Sequence, residues 1–499
     1  MHDKQVYDVP VLVAGAGPAG LVTAITLARH GIEVLLVERR PDLSGLPRAT
    51  VISTRSMELL RSWGLEEQVQ AGGVEVEWRM WLCETLARAS AGAPLPVGYP
   101  TREQAALVSP TAPACVPQDH LEPVLLEHLR SLPAARVQLG TEVTAVQHNP
   151  DGVEANLRDS VGEQQTVRAR YLVAADGAYS TVRAALGIPM RGPEHLLGGV
   201  TALFRAPLWD VLGEHRYGIY AVTHPEATGS FLPAGPDDRW LFGMQWDHAR
   251  EQPPDVTEDR LTRLIRLGAG VADLDPRIER IGAFSSAAQL ADRFRLDSAF
   301  LVGDAAHRVT PRGGTGMNIA IHDGFDLGWK LAWSLLGWAA PGLVDSYEAE
   351  RRPVAEHNVG RSADPNGSVR DPEQELFADL GGRIRHLWVP TTTGRHSTLD
   401  LLGPGLTLFT GPQQVIWQTA AACLPGSVPL AVRSVDAVTA RAMGFHDGGA
   451  LLARPDGVPA GWLPPGVDAE RALRETVESS FTGAGGSQAP VAPRVREVA

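Results

Sequence analysis

Val9-Pro10-Val11-Leu12-Val13-Ala14-Gly15-Ala16-Gly17-Pro18-Ala19-Gly20 runs an apolar segment straight into a glycine-rich turn. Val9 to Ala14 reads as a buried strand, and Leu21 to His30 carries apolar residues at helical spacing before Gly31 stops it. Ile32 to Val37 follows as a second apolar strand and ends on Glu38. A strand, turn, helix and strand in about thirty residues is the context in which a glycine fingerprint marks a dinucleotide site. Gly15 allows the tight turn, Gly17 the close approach of a pyrophosphate, and Gly20 the packing of helix on strand. Pro18 and Ala19 open the helix, whose positive end suits the phosphates. Glu38, next to Arg39, is placed to accept the hydroxyls of an adenosine ribose and to repel a 2′-phosphate, which fits FAD.

Two later stretches extend this pattern. Tyr171 to Ala174 is an apolar strand leading to Asp176-Gly177, with Ser180 and Arg183 following at helix-opening spacing. Gly303-Asp304-Ala305-Ala306-His307 then precedes Pro311-Arg312-Gly313-Gly314-Thr315-Gly316-Met317-Asn318, and beyond these come Asp323 and Leu327-Gly328-Trp329-Lys330-Leu331. Asp304, at a strand end, is suited to the hydroxyls of a ribityl chain. The glycine-rich run opens a helix and aims backbone N–H groups at the pyrimidine side of a flavin, where reduction builds negative charge. A second Gly-x-Gly-x-x-Gly turn does not occur before a strand and helix, so a nicotinamide cofactor is expected to bind transiently.

Composition narrows the alternatives. With 499 residues, 44% hydrophobic and 21% charged, the chain has room for two or three globular domains. A formal net charge of −13 argues against a nucleic-acid-binding surface. Cys83, Cys115 and Cys423 lie far apart, without the spacing of a disulfide framework or a metal site, which suits a reducing cytoplasm. No secretion signal is recognised after Met1. The apolar stretch Leu331 to Val344 is interrupted by Ser334 and Pro341 and is too short for a bilayer of roughly 30 Å. No membrane partner is expected.

The expected fold is α/β, with an inserted, mostly antiparallel sheet. Residues 1–190 and 291–365 form a Rossmann-like nucleotide domain, and 191–290 form the inserted sheet. Its strands are read at Tyr217 to Val222, Gly229 to Leu232 and Arg239 to Trp246, while Ser298 to Val302 and a helix from Gly324 to Leu336 return to the first domain. Residues 366–482 read as a thioredoxin-like C-terminal domain. Its elements are strands at His386 to Val389 and Leu406 to Phe409, a helix at Gln413 to Leu424, and a strand at Val428 to Val432. A hairpin follows around Pro455-Asp456-Gly457, then a helix from Val467 to Ser479. A Cys-x-x-Cys pair is absent, so thiol redox work is not expected of it. Residues 483–499, rich in Gly, Pro and Ser, read as a disordered tail.

Taken together, the three segments resemble those of the group A FAD-dependent aromatic hydroxylases, the p-hydroxybenzoate hydroxylase fold. Within that group the chain is similar to the aromatic polyketide monooxygenases with a thioredoxin-like C-terminal domain, from about Val9 to Trp462. Asp176-Gly177-Ala178-Tyr179-Ser180-Thr181-Val182-Arg183 resembles a family motif whose Asp lies near the flavin pyrophosphate. Pro117-Gln118-Asp119-His120-Leu121-Glu122 resembles a segment whose Gln meets the flavin, and Pro47-Arg48-Ala49 one whose Arg lies beside it. The resemblance thus implies FAD contacts at Gly15, Gly17, Pro18, Ala19, Gly20, Glu38, Arg39, Arg48, Gln118, Asp176, Asp304, Pro311, Gly314, Gly316, Met317 and Asn318. Relatives commonly carry Asn where this chain has Asp326, and Arg312 is unusual in the loop.

The implied activity is hydroxylation of a phenolic or polycyclic aromatic through a flavin C4a-hydroperoxide, with NADPH or NADH and O2 consumed. Substrate contacts are expected from the inserted sheet, with Tyr220, Gln245 and Trp246 as lining residues and Tyr217, His224 and His248 as catalytic candidates. Imidazole titrates near neutrality and suits phenol deprotonation. Baeyer-Villiger oxygen insertion into a polyketide ketone remains open on the same scaffold, as does a non-catalytic flavin-bound carrier of a polycyclic ligand. A halogenase is disfavoured, because Trp78-Arg79-Met80-Trp81 does not match the Trp-x-Trp-x-Ile-Pro segment of that class. Monomer and homodimer are both compatible with the sequence.

Overall fold

The computed structural model describes residues 6–246, 257–339, 342–391, 394–446 and 448–482. The chain divides into two compact units, Met1–Gly328 with Arg351–Asp379, and Trp329–Glu350 with Leu380–Ala499. In the first unit the strand Val6–Ala14 pairs in parallel with Val34–Glu38 on one side and Gln164–Ala174 on the other. Ala135–Leu139 and Ala299–Leu301 extend this sheet, again in parallel. Val11, Leu12 and Val13 are fully buried, as a strand covered on both faces requires. Gly15 turns the chain at φ +110°, and a Cβ there would lie 2.2 Å from the Ala175 carbonyl oxygen. Helix Pro18–Arg29 begins earlier than the apolar spacing suggests, because Pro18 has the fixed φ suited to a first helical turn.

A second, seven-stranded sheet runs in the order Arg277–Ser286, Leu197–Arg205, Arg239–Trp246, Gly229–Pro233, Tyr217–Val222, Glu77–Cys83, Ala93–Pro96. It is antiparallel except where Tyr217–Val222 meets Glu77–Cys83. Two of its strands thus come from residues 77–96, well before the insertion read from the sequence. On one face Val200, Ala202, Phe204, Phe231, Trp240 and Phe242 form a core with Leu261 and Ile265 of helix Glu258–Ala269. Alternation along each strand sends Thr201 and Gly243, which are cross-strand partners, to the opposite face. That face meets the loop before Arg48, since a Cβ at Gly282 would stand 3.5 Å from Leu46 Cδ1.

Helix Gly316–Leu335 carries Gly324 and Gly328, and both lie against helix Pro18–Arg29. A Cβ on Gly324 would come 2.4 Å from the Ala19 carbonyl oxygen, and one on Gly328 2.7 Å from Thr26 Cβ. Segment 366–379, assigned from sequence to the C-terminal domain, falls in the first unit. Its Arg370 donates to the Gly313 carbonyl at 2.6 Å, and its Asp379 accepts the Arg55 N–H at 2.9 Å.

The second unit contains a mixed four-stranded sheet, the arrangement expected of a thioredoxin-like domain. Leu406–Thr410 runs parallel to Leu430–Ser434 and antiparallel to Ala450–Ala453, which forms a hairpin with Pro459–Leu463. Phe409, Val435, Met443, Phe445 and Leu451 make its core. Among the described residues no helix is long and apolar enough to cross a membrane.

The two-glycine helix contact generates a paired prediction. Gly324→Val forces the helices apart and is expected to destabilise the protein by roughly 1–3 kcal/mol. A Cβ at Gly360, by contrast, meets nothing within 4 Å. Gly360→Ala, inside helix Gly342–Ala363, is therefore expected to be neutral or stabilising by up to about 1 kcal/mol. Urea unfolding of both variants checks the contrast.

Candidate active site

The strand-to-helix turn is held from below by Glu38. Its carboxylate accepts the Ala16 N–H at 2.9 Å and the Arg40 N–H at 3.0 Å, which fixes the turn against the end of Val34–Glu38. Each oxygen retains a lone pair for a further donor. A Cβ on Gly17 would meet nothing within 4 Å, so the turn opens onto free space, while a Cβ on Gly20 would strike the Gly15 carbonyl oxygen at 2.0 Å. No side chain caps helix Pro18–Arg29. Its first-turn amides thus face the opening without an intrahelical partner, as an anion site requires.

Gln118 opens helix Gln118–Ser131, its N–H donating to the Ala49 carbonyl at 2.8 Å, which ties it to the Arg48 loop. Its side-chain amide donates to Glu122 Oε1 at 2.6 Å. Burial pushes the Glu122 carboxyl up to about 7, against the opposing pull of Gln118 and Arg48. Arg48 and Arg39 are exposed.

Asp176 is engaged within the protein. Its carboxylate accepts the Ser180 hydroxyl and, at 3.1 Å, the Val182 N–H, so both oxygens are turned into the start of helix Thr181–Ala185. Burial raises its pKa, with these bonds opposing. Arg183 carries the motif onward by donating to the Ala305 carbonyl at 3.0 Å and the Ala178 carbonyl at 3.1 Å. The Asp-Gly motif is thereby joined to the Gly303–Ala305 turn, and Asp304 on that turn stands open to the cleft. The surrounding protein nevertheless desolvates Asp304 and raises its pKa, while His307, Arg48 and Arg308 oppose.

Asp323 anchors the third segment. It accepts the Gly303 N–H at 3.1 Å, His307 Nε2 at 2.5 Å and Arg351 Nε at 2.8 Å. Burial works against its charge, but His307 and Arg351 outweigh it and hold the carboxyl at about 2. Asn318 fixes the helix start, its Oδ1 accepting the Ser53 N–H at 2.8 Å and its Nδ2 donating to the Val51 carbonyl at 3.2 Å. Gly313 and Gly314 take φ +87° and +62°, turning the loop after Pro311 into the helix. Met317 is buried behind it.

The sheet-side candidates come out differently. Tyr220 is fully buried in the core on the face away from the Arg48 loop. Its hydroxyl donates to the His215 carbonyl at 2.5 Å and accepts the Tyr217 N–H at 2.9 Å, so it packs the sheet and does not line a substrate site. Tyr217 packs against the same core, stacked on Trp81 with centroids 4.3 Å apart. A register shift between Tyr217 and Ile219 defeats simple alternation and sends both tyrosines to one side. His224 sits in the turn between Tyr217–Val222 and Gly229–Pro233, its Nδ1 accepting the Glu226 N–H at 3.3 Å. That turn abuts the Cys83 end of the neighbouring strand, where the Thr223 N–H donates to the Cys83 carbonyl at 3.0 Å. Gln245 is exposed at a strand end opposite Gly199, while His248 and the Trp246 side chain lie outside the described residues.

What the sequence did not single out is an aromatic wall. Trp78 and Tyr99 pack at 5.4 Å with Val51, Val97 and Cys115, and Met80 and Ile219 lie against them. The Tyr99 hydroxyl donates to the Gly314 carbonyl at 3.0 Å, linking this wall to the glycine-rich loop. The available signal was strand alternation, which separates Trp78 and Met80 from Trp81.

Residues 8–362 match the family described as an FAD binding domain, and residues 378–484 match the C-terminal domain of aromatic-ring hydroxylases. Aklavinone 12-hydroxylase of Streptomyces peucetius subsp. caesius is 36% identical over 462 residues, covering 83% of this chain and 94% of the relative. Tetracenomycin A2 monooxygenase-dioxygenase of Streptomyces glaucescens is 32% identical over 545 residues, covering 94% and 96%. A crystal structure of aklavinone-11 hydroxylase with FAD and aklavinone superposes with a TM-score of 0.84 at 32% identity, over 96% of this chain and 100% of that one. The chain belongs to the FAD-dependent aromatic-ring hydroxylases and is a flavoprotein monooxygenase.

The Glu122 carboxyl gives a pH test. Because its folded pKa, about 7, lies above its ordinary 4.5, the fold retains the proton that the unfolded chain releases. The associated stability is present at acid pH and is lost as pH rises through about 7. Glu122→Gln, which still accepts from Gln118, is expected to gain on the order of 1–3 kcal/mol over wild type at pH 8, with the gain shrinking at pH 5. Thermal unfolding at the two pH values measures it.

Proposed function

We propose that this enzyme hydroxylates a flat, polycyclic phenol of the aromatic polyketide type, using NAD(P)H and O2. The carrying observation is that Tyr99 joins the Trp78 wall to the Gly314 carbonyl, so an apolar aromatic surface adjoins the loop that faces the flavin ring. Similarity to the aklavinone and tetracenomycin enzymes over most of each chain supports the substrate class. Thr201, Gly243 and Gly282 on the sheet face beside the Arg48 loop add support, because small side chains leave room for a fused ring system.

The residues fit FAD. The open turn at Gly17, with the amides of Ala19 and Gly20, would receive the pyrophosphate, and Glu38 the adenosine ribose. Asp304 would hold the ribityl hydroxyls, with Arg48 and Gln118 nearby, and the first-turn amides of helix Gly316–Leu335 would be available to the ring's pyrimidine side. Asp176 acts indirectly, by capping a helix whose Arg183 holds the Asp304 turn. When bound, FAD supplies the transfer of one oxygen atom from O2 to an electron-rich ring, with NAD(P)H as reductant. The protein positions the ring, excludes water through the Trp78 and Tyr99 wall, and offers fixed N–H groups where negative charge develops.

Polycyclic phenols are expected to stimulate NAD(P)H oxidation with O2 uptake and to yield a product carrying one added hydroxyl, read by mass and NMR. A ring-opened lactone would instead assign Baeyer-Villiger insertion, and absence of stimulated turnover would favour the carrier. Glu38→Arg and Asp304→Ala are each expected to purify without yellow colour; if both retain it, the assigned cofactor contacts are wrong.

A further inference from the structure

The loop between Pro311 and Thr315 is gripped from behind by two arginines that the reaction does not call upon. Arg370 donates to the Gly313 carbonyl at 2.6 Å, Tyr99 to the Gly314 carbonyl at 3.0 Å, and Arg361 to Thr315 Oγ1 at 2.8 Å. Arg361 lies directly on the loop backbone, for a Cβ at Gly313 would come 2.4 Å from its Nη1. The Arg370 guanidinium also stacks 5.1 Å above the Tyr99 ring. With the 313 and 314 carbonyls drawn back, the amides that open helix Gly316–Leu335 are left for the opposite side.

The charges do not balance. Glu375 pairs with Arg370 at 2.9 Å and stands 3.8 Å from Arg361, so one carboxylate answers two guanidinium groups. The Arg370 and Arg361 side chains are only 3% and 11% exposed. Arg361 Nε and Nη1 and Arg370 Nε have no hydrogen-bond acceptor among the described residues. Asp379, a further carboxylate within electrostatic reach of Tyr99, accepts the Arg55 N–H at 2.9 Å. Buried guanidinium N–H groups without acceptors are costly for stability alone. A use for the surplus charge lies in the loop itself.

We propose that Arg361 and Arg370 are positioning residues that set the reduction potential of bound FAD. Arg370 holds the 313 carbonyl and Arg361 the Thr315 hydroxyl on the side away from the flavin, and together they place net positive charge behind the loop, which favours the reduced, negatively charged cofactor. This rests on the FAD reading above and extends it to side chains with no assigned contact to the ring. A charge in a water-poor site acts over several ångströms with little screening.

Spectroelectrochemical titration of the purified holoenzyme tests the idea without turnover. Arg370→Gln and Arg361→Gln are each expected to lower the preference for reduced over oxidised FAD about tenfold, a fall of about 30 mV for a two-electron couple. Arg370→Lys, which keeps the charge, should fall less, and Glu375→Gln should shift the potential upward. Unchanged potentials in the arginine variants, or a Glu375→Gln shift in the same direction as theirs, would overturn the proposal. Should Arg370→Gln lose its flavin, the opposite signs expected of Arg361→Gln and Glu375→Gln still decide the matter. A wild-type chain that takes up no FAD would sink the cofactor reading itself, a different outcome from yellow variants with unmoved potentials.

Discussion

A single buried carboxylate, Asp323, sets the geometry of the flavin side of the cleft. It binds the Gly303 N–H, His307 and Arg351 at once, joining a strand end, the turn after it and a distant helix. Its partners keep it ionised although it is 1% exposed. A buried carboxylate with three donors is stable only while all of them hold position. That requirement fixes the Asp304 turn relative to helix Gly316–Leu335, and the helix in turn is pressed onto Pro18–Arg29 by Gly324 and Gly328. Two helix starts, distant in sequence, are brought to a common cleft by one ionic knot and two absent side chains.

Around this frame, side chains mostly hold backbone, and backbone faces the cofactor site. Glu38 binds the Ala16 amide, Asp176 caps a helix, and Asn318 bridges Ser53 and Val51. Peptide N–H groups are rigid once their elements pack, so they offer charge stabilisation without reorganisation when a ligand's charge changes. Carboxylates in direct contact with a reduced flavin would oppose its negative charge. Asp176 and Asp323 are turned into hydrogen bonds within the protein, which leaves Asp304 as the carboxylate of these segments that is open to the cleft.

The glycine-rich turn was legible in the sequence for a steric reason. Gly15 and Gly20 are forced by contacts of 2.2 and 2.0 Å that a Cβ would make, so these residue types report the geometry of the turn directly. The sheet-side reading failed at particular points. A register shift beside Gly218 turned Tyr217 and Tyr220 toward the core, and nothing in Tyr217 to Val222 announces that shift. The strand Glu77–Cys83 joins the inserted sheet from far upstream, a pairing that local periodicity does not encode. Residues 366–379 look like the start of a new domain by composition, yet Arg370 and Asp379 bond to Gly313 and Arg55. Long-range hydrogen bonds, not segment texture, decided that boundary.

Substrate recognition is less legible because it rests on surface shape rather than on a motif. A flat polycycle needs room and aromatic contact, and many residue combinations provide both. In the proposed site Thr201, Gly243 and Gly282 would contribute by being small, which marks no motif. Tyr99 is the exception with a definite chemical tie, since its ring belongs to the apolar wall and its hydroxyl holds the Gly314 carbonyl. Arg370 is stacked on the same ring and bonded to Gly313, so the apolar wall and the glycine-rich loop share these two side chains. In the proposed site, substrate contact and flavin environment would be joined through one tyrosine and one arginine.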